Sequence, residues 1–367
     1  MTKRYLFVLT TLVIFCFTRQ VQADFAKKII YHSEFGSGYS LPALMVAALR
    51  QPDFIELPLV LSLDDVPVVY NDLLLQPHTN VAELFPDRHR ADGNYYVVDF
   101  TLEELRGLSY LEDGGQFGFQ HSHITSLEEV FATIEVIADE FEAASRFLPV
   151  IKYPWFHANE AKDISSVVLD TLIAHAGSAD TTLYCMSFDP EELQRIEEDI
   201  LPGLPVTVRL VQAIDRPEGS ETMRQNRREW TPYNYEWLFT RLGLRVAAGY
   251  ADALWLDDPA RLETPRLKRF IADSQALEME VYCRIPQTSG LDPAAIAHEL
   301  AVSLNADGLA VANPSSLHAL FPEWRKTGDM PPKAAAGQSG DGRQQDNQSE
   351  GLLSDPEGLY ERLRRIR

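Results

Sequence analysis

The sequence has few cysteines, no apolar run long enough to cross a bilayer, and too little positive charge for a nucleic-acid-binding protein. Three cysteines in 367 residues do not provide a disulfide framework, so the fold must rest on its own core. The 33 basic residues face 54 acidic ones, a formal net charge of −21. Such a surface repels phosphate backbones and disfavours broad adsorption to anionic lipid. Cys185 and Cys283 lie in apolar strand-like runs and are predicted to be separate buried thiols.

The first 23 residues are predicted to be an export signal. Lys3 and Arg4 precede an apolar run over 5–17, which is shorter than the about 20 residues that span a bilayer. Val21-Gln22-Ala23 then fits a small-residue cleavage site. An uncleaved membrane anchor is the alternative interpretation. Cleavage leaves residues 24–367 and predicts a periplasmic or secreted protein.

Short apolar runs alternate with helical stretches over residues 24–325. Strands are predicted over 29–32, 54–61, 67–70, 148–152, 182–188, 207–212, 253–256, 280–284 and 308–312. Most are continuously apolar, which is typical of strands covered on both faces. With 67–70 as a hairpin arm, eight main strands predict a closed (β/α)8 TIM-type barrel. An open doubly wound sheet is the alternative, although no glycine-rich phosphate loop follows the first strand.

Helical periodicity fills the gaps between the predicted strands. Thr101 is predicted to open one helix, with Glu104 completing a capping box. Another helix is predicted to run without a break over 235–248.

Three stretches depart from the barrel pattern. Residues 73–125 combine turn residues with many aromatic residues and predict an insertion at the barrel rim after the second strand. Residues 326–354 are rich in Ala, Gly, Gln, Ser and Asp, which predicts a disordered linker. Residues 355–367 predict a short basic amphipathic helix that docks on the acidic barrel, a partner or a membrane surface, or else frays.

Polar motifs follow the first two predicted strands and the hairpin arm. They read His32-Ser33-Glu34, Glu56-Leu57-Pro58 and Asn71-Asp72. In order and spacing these segments resemble the opening of the glycerophosphodiester phosphodiesterases, in the longer periplasmic branch of that family. The family reads His-Arg-Gly, Glu-x-Asp and His-Asp at the same places, and the likeness extends over about residues 27–322. The resemblance implies a TIM barrel in which water attacks a glycerophosphodiester with the help of a divalent metal.

The resemblance also implies the roles of the site residues. His32 stands at the place of the first family histidine and is the candidate acid/base residue. Asn71 replaces the second family histidine and cannot carry a proton. Four residues are predicted to bind substrate: Ser33 in place of the phosphate-binding arginine, Lys152, Trp155 and Arg284. Because Lys152 and Arg284 end strands, they either bind an anion or neutralise Glu56 across the barrel mouth.

The metal site implied by the resemblance is predicted to be incomplete. Glu56 matches the first metal carboxylate, but Pro58 and Val150 stand at the places of two further carboxylates. One carboxylate cannot satisfy calcium, which takes six to eight oxygen ligands, or magnesium, which requires an octahedron. Asp72 and Glu34 are available for recruitment. We therefore predict no cofactor, with calcium or magnesium as the metal only if the family site survives.

Three functional hypotheses follow. The favoured one is an exported, phosphodiesterase-like protein without metal-dependent hydrolysis. It binds a glycerophosphodiester or related phospholipid-derived headgroup, or an envelope protein through residues 355–367. The second is an active phosphodiesterase with a remodelled site that releases an alcohol and glycerol phosphate. The third is a barrel hydrolase that uses Glu34, Glu56 and Asp72 as paired carboxylates on a glycoside-like bond.

Overall fold

A computed structural model describes most of the chain between residues 27 and 324. The described ranges are 27–34, 36–111, 122–141, 145–176, 181–216, 219–226, 229–286 and 292–324. The predicted export signal, linker and C-terminal helix all lie outside these ranges. None of the helices found within them has both the length and the apolar character needed to cross a membrane.

The elements alternate between strands and helices along the chain. The strands are β1 (Lys28–Tyr31), β2 (Phe54–Leu61), β3 (Pro67–Val69), β4 (Thr125–Ser126), β5 (Arg146–Ile151), β6 (Thr182–Ser187), β7 (Thr207–Ile214), β8 (Met223–Asn226), β9 (Glu229–Pro232), β10 (Ala253–Leu256), β11 (Glu280–Arg284) and β12 (Gly308–Val311). The α-helices are α1 (Leu41–Leu49), α2 (Val81–Leu84), α3 (Leu102–Arg106), α4 (Leu127–Phe141), α5 (Pro154–Asn159), α6 (Ile164–Ala176), α7 (Pro190–Arg195), α8 (Arg241–Ala247), α9 (Thr264–Gln275), α10 (Pro293–His298) and α11 (Pro314–Leu320). Single π-helical turns, Ile196–Ile200 and Glu299–Ser303, extend α7 and α10.

Eight parallel strands form a closed barrel. Their order around the barrel is β1-β12-β11-β10-β7-β6-β5-β2, and β1 also pairs with β2, where Ile30 lies opposite Phe54. This closure confirms the predicted (β/α)8 TIM-type barrel and shows that the open doubly wound alternative is wrong. β3 and β4 extend the sheet antiparallel from β2, and β8 pairs with β9 in a separate hairpin.

The predicted strands begin and end within two residues of the observed ones, but β4, β8 and β9 were not predicted. The capping box of Thr101 and Glu104 is confirmed at the start of α3. The single helix predicted over 235–248 is wrong. A 3-10 turn, Tyr235–Phe239, precedes α8, and the backbone of Thr240 between them is extended. The Thr240 hydroxyl accepts the Gly243 N–H at 3.0 Å and so caps α8.

Alternate residues of the barrel strands fill the barrel interior with apolar side chains. This layer comprises Ile30, Phe54, Leu148, Val150, Tyr184, Met186, Phe188, Val211, Ala213, Ala253, Trp255, Tyr282 and Ala310. A larger apolar cluster lies between the strands and the surrounding helices. A third cluster packs β3 and residues of the segment 73–125, including Leu75, Val97 and Phe100. Each barrel strand thus buries both faces, as its continuously apolar sequence predicts.

The two cysteines within the described residues, Cys185 in β6 and Cys283 in β11, are buried and free. The prediction of separate thiols is therefore confirmed. Burial raises the pKa of both thiols to about 12, so neither carries a thiolate at neutral pH.

Candidate active site

Ionisable side chains surround the C-terminal end of the barrel, which we call the mouth. Six strands place such a residue two positions beyond an inward-facing apolar residue: His32 after β1, Glu56 within β2, Lys152 after β5, Asp215 after β7, Asp257 after β10 and Arg284 at the end of β11. Residues two apart on a strand share a face. The C-terminal ends of barrel strands also meet at one end of the barrel, so the mouth is the candidate active site.

His32 and Glu56 form a buried pair on the β1–β2 side of the mouth. The ring nitrogen Nδ1 of His32 is hydrogen-bonded to Glu56 Oε2. The Tyr39 hydroxyl donates to the same carboxylate oxygen at 3.0 Å and lies 3.3 Å from Nδ1. Burial, with the charge of Glu56 adding to it, raises the pKa of Tyr39 well above its ordinary value. Tyr39 therefore stays protonated and donates a hydrogen bond to Glu56.

A tight turn over Gly36–Tyr39 brings Tyr39 to this pair. A Cβ atom on Gly38 would lie 1.9 Å from the Ser33 hydroxyl oxygen, so only glycine allows the turn to approach so closely. The Ser33 backbone N–H donates to the Tyr39 hydroxyl at 3.1 Å. Ser33 itself is buried against the turn, and its role in substrate binding stays a prediction.

Lys152 forms an ion pair with Glu221, which lies between β7 and β8. Lys152 is only 4% exposed, and its ammonium lies 5.1 Å from the ring centroid of Tyr153 and 5.5 Å from that of Phe188. Burial raises the pKa of Glu221 to about 7, although Lys152 pulls it down. Tyr153 has a φ of 49°, and this left-handed conformation turns the chain sharply from β5 into α5.

Trp155 lies beside this ion pair. Its indole N–H donates to the backbone carbonyl of Glu221 at 3.2 Å. Its ring also lies 4.9 Å, between centroids, from the ring of Trp230 on β9. Trp230 is 40% exposed, so the β8–β9 hairpin contributes an accessible aromatic surface next to the mouth.

Arg284 is held between two acidic side chains. Its Nη1 donates to Glu34 Oε1 at 2.6 Å, and its Nε lies 2.9 Å from Asp257 Oδ1. The ion pairs of Lys152 and Arg284 therefore do not include Glu56. The alternative that these two cations neutralise Glu56 across the mouth is wrong, because each is paired with acids that lie outside β2.

Asp215 is buried under the segment that follows β7. Its carboxylate accepts the Arg216 N–H at 2.7 Å. A Cβ atom on Gly219 would lie 1.7 Å from Asp215 Oδ2, so Gly219 packs directly on the carboxylate. Burial raises the pKa of Asp215, and the nearby charge of Asp257 adds to the increase.

Asn71 and Asp72 follow β3, and both are half-buried. The carboxylate of Asp72 accepts the Leu74 N–H at 3.1 Å and lies 3.4 Å from His78 Nε2. Burial alone would raise the pKa of Asp72, but the hydrogen bonds from His78 and the backbone hold it below its ordinary value. Asp72 is thus engaged by its own loop, and its recruitment to a metal stays a prediction.

Two of the three positions where the resemblance implies metal carboxylates hold apolar side chains. Pro58 on β2 and Val150 on β5 are register partners. Val150 belongs to the interior layer, and Pro58 shares the strand face of the interior residue Phe54. Glu56 is the remaining acid, and His32 and Tyr39 already engage it. Among the residues that the structure describes, no group of three or more His, Cys, Asp or Glu side chains could hold a metal ion. This donor set does not fit the calcium or magnesium site of the family.

Sequence reasoning missed four residues of the mouth: Tyr39, Asp215, Glu221 and Asp257. A signal was present for two of them. Asp257 directly follows the predicted strand 253–256, and Asp215 directly follows the apolar run that ends at Ile214. Tyr39 and Glu221 reach the mouth through a turn and a connecting segment, which have no periodicity to reveal the direction of a side chain.

The sequence profile of the Glycerophosphoryl diester phosphodiesterase family matches residues 36–309, which is more than half of the chain. The "Glycerophosphodiester phosphodiesterase" of Haemophilus influenzae is 33% identical over 255 residues, covering 64% of this chain and 69% of that protein. The protein of the same name from Treponema pallidum is 31% identical over 235 residues, covering 60% of this chain and 66% of that protein.

Two solved structures share the fold. A glycerophosphoryl diester phosphodiesterase structure from Agrobacterium tumefaciens has a TM-score of 0.55 and 16% identity, and the match covers 82% of this chain and 98% of that one. An Oleispira antarctica phosphodiesterase, solved in complex with the product sn-glycerol-3-phosphate, has a TM-score of 0.55 and 15% identity, with 81% and 98% covered. At these identities the likeness shows the barrel architecture alone.

Proposed function

Because this chain belongs to the glycerophosphoryl diester phosphodiesterase family but its described residues lack a fitting metal ligand set, we propose that it binds a ligand at the barrel mouth without metal-dependent hydrolysis. The observation that carries this proposal is the register pair of Pro58 and Val150, which places two apolar side chains where two carboxylates are implied. Glu56 alone cannot supply the six or more oxygens that calcium takes. The proposal includes no cofactor.

The charge balance of the mouth supports the same proposal. Hydrolysis of a phosphodiester concentrates negative charge on the phosphoryl oxygens, which catalysis must stabilise with metal ions or side-chain cations. Here Lys152 is paired with Glu221, and Arg284 is paired with Glu34 and Asp257. Both cations are therefore ion-paired with acids of the chain itself, which weakens their stabilisation of a phosphoryl transition state.

The site also has fewer groups that can transfer protons than the resemblance implies. In-line hydrolysis needs one group that accepts a proton from water and another that gives a proton to the leaving alcohol. His32 can serve as one of them, held by its hydrogen bond to Glu56. Asn71, at the implied place of the second histidine, has an amide that does not ionise near neutral pH and so cannot act as a general acid or base.

The ligand that we propose is a glycerophosphodiester or a related phospholipid-derived headgroup. The relatives from Haemophilus and Treponema are named glycerophosphodiester phosphodiesterases, and the Oleispira structure holds sn-glycerol-3-phosphate. In this chain the aromatic pair of Trp155 and Trp230 lies next to the mouth and offers an apolar surface to the organic part of such a ligand.

A second candidate function, hydrolysis by a remodelled site, is favoured by one observation. His32, Glu56 and Tyr39 form a buried hydrogen-bonded unit that fixes the orientation of the imidazole ring. With Nδ1 against a carboxylate, Nε2 is the nitrogen that could take a proton from water. The water oxygen would attack phosphorus as the bond to the alcohol oxygen breaks, and the leaving alkoxide oxygen would take up a proton from solvent.

The glycosidase-like hypothesis finds no support in the geometry. A carboxylate pair for glycoside hydrolysis must stand on either side of one bond, both oxygens facing the substrate. Glu34 is instead paired with Arg284, Glu56 with His32 and Asp72 with His78. Each carboxylate is turned to its own basic partner.

The proposal is tested by measuring release of glycerol phosphate from glycerophosphocholine and glycerophosphoethanolamine by residues 24–367. The reactions contain calcium, magnesium or a chelator, and His32→Ala serves as the inactive reference. We expect no release above that of His32→Ala under any condition. Release that needs both metal and His32 would overturn the proposal, and release that needs His32 but survives chelation would establish the second candidate.

Export and a partner for the tail are further parts of the proposal, and they rest on sequence alone. Residues 1–23 and 355–367 lie outside the described residues. Export with cleavage predicts that the mature protein begins at Asp24, which intact-mass measurement of protein isolated from the cell envelope would test. A tail partner predicts that deleting 355–367 abolishes recovery of an envelope protein by crosslinking, whereas unchanged recovery would contradict it.

A further inference from the structure

We propose that Glu221 is an internal competitor for Lys152. Its carboxylate forms an ion pair with the ammonium that would otherwise bind the phosphoryl group of a ligand. The ion pair thereby lowers the affinity of the mouth for phosphate esters. This inference rests on the proposed function, because it concerns ligand binding at the same mouth. It adds a specificity-determining residue that lies outside every motif of the family resemblance.

The surroundings of Lys152 are those of an anion site. The ammonium is almost fully buried at the end of β5, and it lies over the rings of Tyr153 and Phe188. A buried ammonium needs a negatively charged partner, because desolvation disfavours its charge. Glu221 is the partner that the structure supplies.

Glu221 fills that role incompletely. Its Oε1 contacts the Lys152 ammonium, but its Oε2 is buried without a hydrogen-bond partner. Asp215 and Asp257 are close enough to act on it electrostatically, and both disfavour its negative charge. A carboxylate held among other carboxylates, with one oxygen unsatisfied, is a weaker counter-ion than a well-solvated or fully hydrogen-bonded one.

The backbone around Glu221 is fixed independently of the ion pair. The Trp155 indole N–H donates to the Glu221 carbonyl, and the Tyr233 N–H donates to the Thr222 carbonyl at 2.9 Å. Gly219 packs on the Asp215 carboxylate two residues earlier. The fold therefore presents the residue at position 221 to Lys152, and replacing its side chain leaves these backbone contacts in place.

A phosphate ester that binds Lys152 must displace the Glu221 carboxylate. Displacement leaves that carboxylate beside Asp215 and Asp257, and it adds the negative charge of the ester to the same region. Neutralising position 221 removes the first cost and reduces the second, while keeping the ammonium in place. The expected gain in affinity is about tenfold or more, since coupling between close charged groups in binding sites reaches this size.

The test is calorimetric titration of sn-glycerol-3-phosphate into residues 24–367 in the presence of a chelator at about pH 7.5. Four proteins are compared: the natural sequence, Glu221→Gln, Glu221→Gln with Lys152→Met, and Glu198→Gln. Glu198 is an exposed acid on the π-helical turn after α7, so its variant controls for loss of one surface charge. We expect tighter binding to Glu221→Gln, no gain with the double variant, and no change with Glu198→Gln.

Equal affinity of the natural sequence and a folded Glu221→Gln variant would overturn the inference, and so would a gain that survives loss of Lys152. Thermal unfolding of each variant shows whether it is folded. If Glu221→Gln does not fold, Glu221→Asp keeps the charge but shortens its reach, and it is expected to bind the ester more tightly than the natural sequence. No gain for a folded Glu221→Asp would then overturn the inference. Because no turnover is measured, the result is separate from that of the hydrolysis assay.

Discussion

Opposite sides of the barrel mouth differ in chemical character. On the β2–β5 side, Pro58 and Val150 face each other in register, and Glu56 is the one acid among the positions that the resemblance assigns to metal. Across the barrel, β7, β10 and the segment before β8 contribute Asp215, Asp257 and Glu221. The side expected to hold a cation is mostly apolar, and the other side is rich in carboxylates.

The two sides differ in how their described residues are stabilised. On the β2–β5 side, the apolar side chains of Pro58 and Val150 need no counter-ion. Across the barrel, the carboxylates are balanced within the chain: Glu221 pairs with Lys152, which reaches it from the end of β5, and Asp257 pairs with Arg284. The two sides should therefore respond differently to substitution. Loss of an ion-pair partner is expected to destabilise the charged side, and acids added to the apolar side are expected to bind a metal ion.

Lys152→Met is expected to give the largest loss of stability. It leaves Glu221 buried without its ion-pair partner, and removing one member of a buried pair typically costs about 3–5 kcal/mol in the free energy of unfolding. Urea unfolding at about pH 8 measures this loss. The double variant Lys152→Met with Glu221→Gln removes both charges and is expected to recover most of it.

The loss should depend on pH in a defined direction. The pKa of Glu221 in the folded protein is about 7, above its ordinary value of 4.5, because burial favours the neutral form. A carboxyl with a raised pKa contributes stability that is fully present below about pH 4.5 and is lost as pH rises through about 7. Removing Lys152 raises this pKa further, so the deficit of Lys152→Met should be smaller at pH 5 than at pH 8. Equal deficits would contradict the assignment.

Adding the two implied carboxylates should create a metal site on the apolar side. Pro58→Asp with Val150→Glu places three acids on neighbouring inward positions of β2 and β5, together with Glu56. Calcium at about 100 times its dissociation constant would then raise the free energy of unfolding by about 2.7 kcal/mol. Thermal unfolding in calcium and in chelator measures the shift.

The matched control for that experiment is Pro58→Asn with Val150→Gln, which has a similar shape but no added charge. We expect neither the control nor the natural sequence to respond to calcium. A calcium shift of the same size in the natural sequence would show that other groups of the chain complete the site, and it would remove the main support for the proposed function.

The barrel was predictable because its signals are local and repeated. Continuous apolar runs such as β2 and β10 are found at the predicted residues, since a strand buried on both faces needs apolar side chains at every position. The break at Thr240 was not predictable from apolar spacing, because that spacing continues across it. The β8–β9 hairpin is an exposed ribbon, and its polar strands lack the pattern that marks a buried sheet.

The mouth was predictable only in part. That Pro58 and Val150 cannot ligate a metal through their side chains can be read from the sequence, because these side chains have no donor atoms. The partner of a charged residue is set by tertiary contacts. Lys152 and Glu221 are far apart in the chain, and a connecting segment without periodicity brings them together.

Tyr39→Phe is expected to have the smallest effect on the free energy of unfolding, and it tests how Glu56 is stabilised on the β2 side of the mouth. The Tyr39 hydroxyl donates to the Glu56 carboxylate, and hydrogen bonds to charged groups contribute about 1.5–3 kcal/mol, so we expect a loss of about 2 kcal/mol in urea unfolding. Tyr70→Phe is the matched control, because the buried Tyr70 hydroxyl donates to the uncharged backbone carbonyl of Leu74 at 2.8 Å, a bond that contributes about 1 kcal/mol. Equal losses in the two variants would mean that the hydrogen bond from Tyr39 to the Glu56 carboxylate contributes no more stability than one to an uncharged carbonyl. A larger loss for Tyr39→Phe would show that an uncharged donor, together with His32, stabilises the one acid that remains on the apolar side.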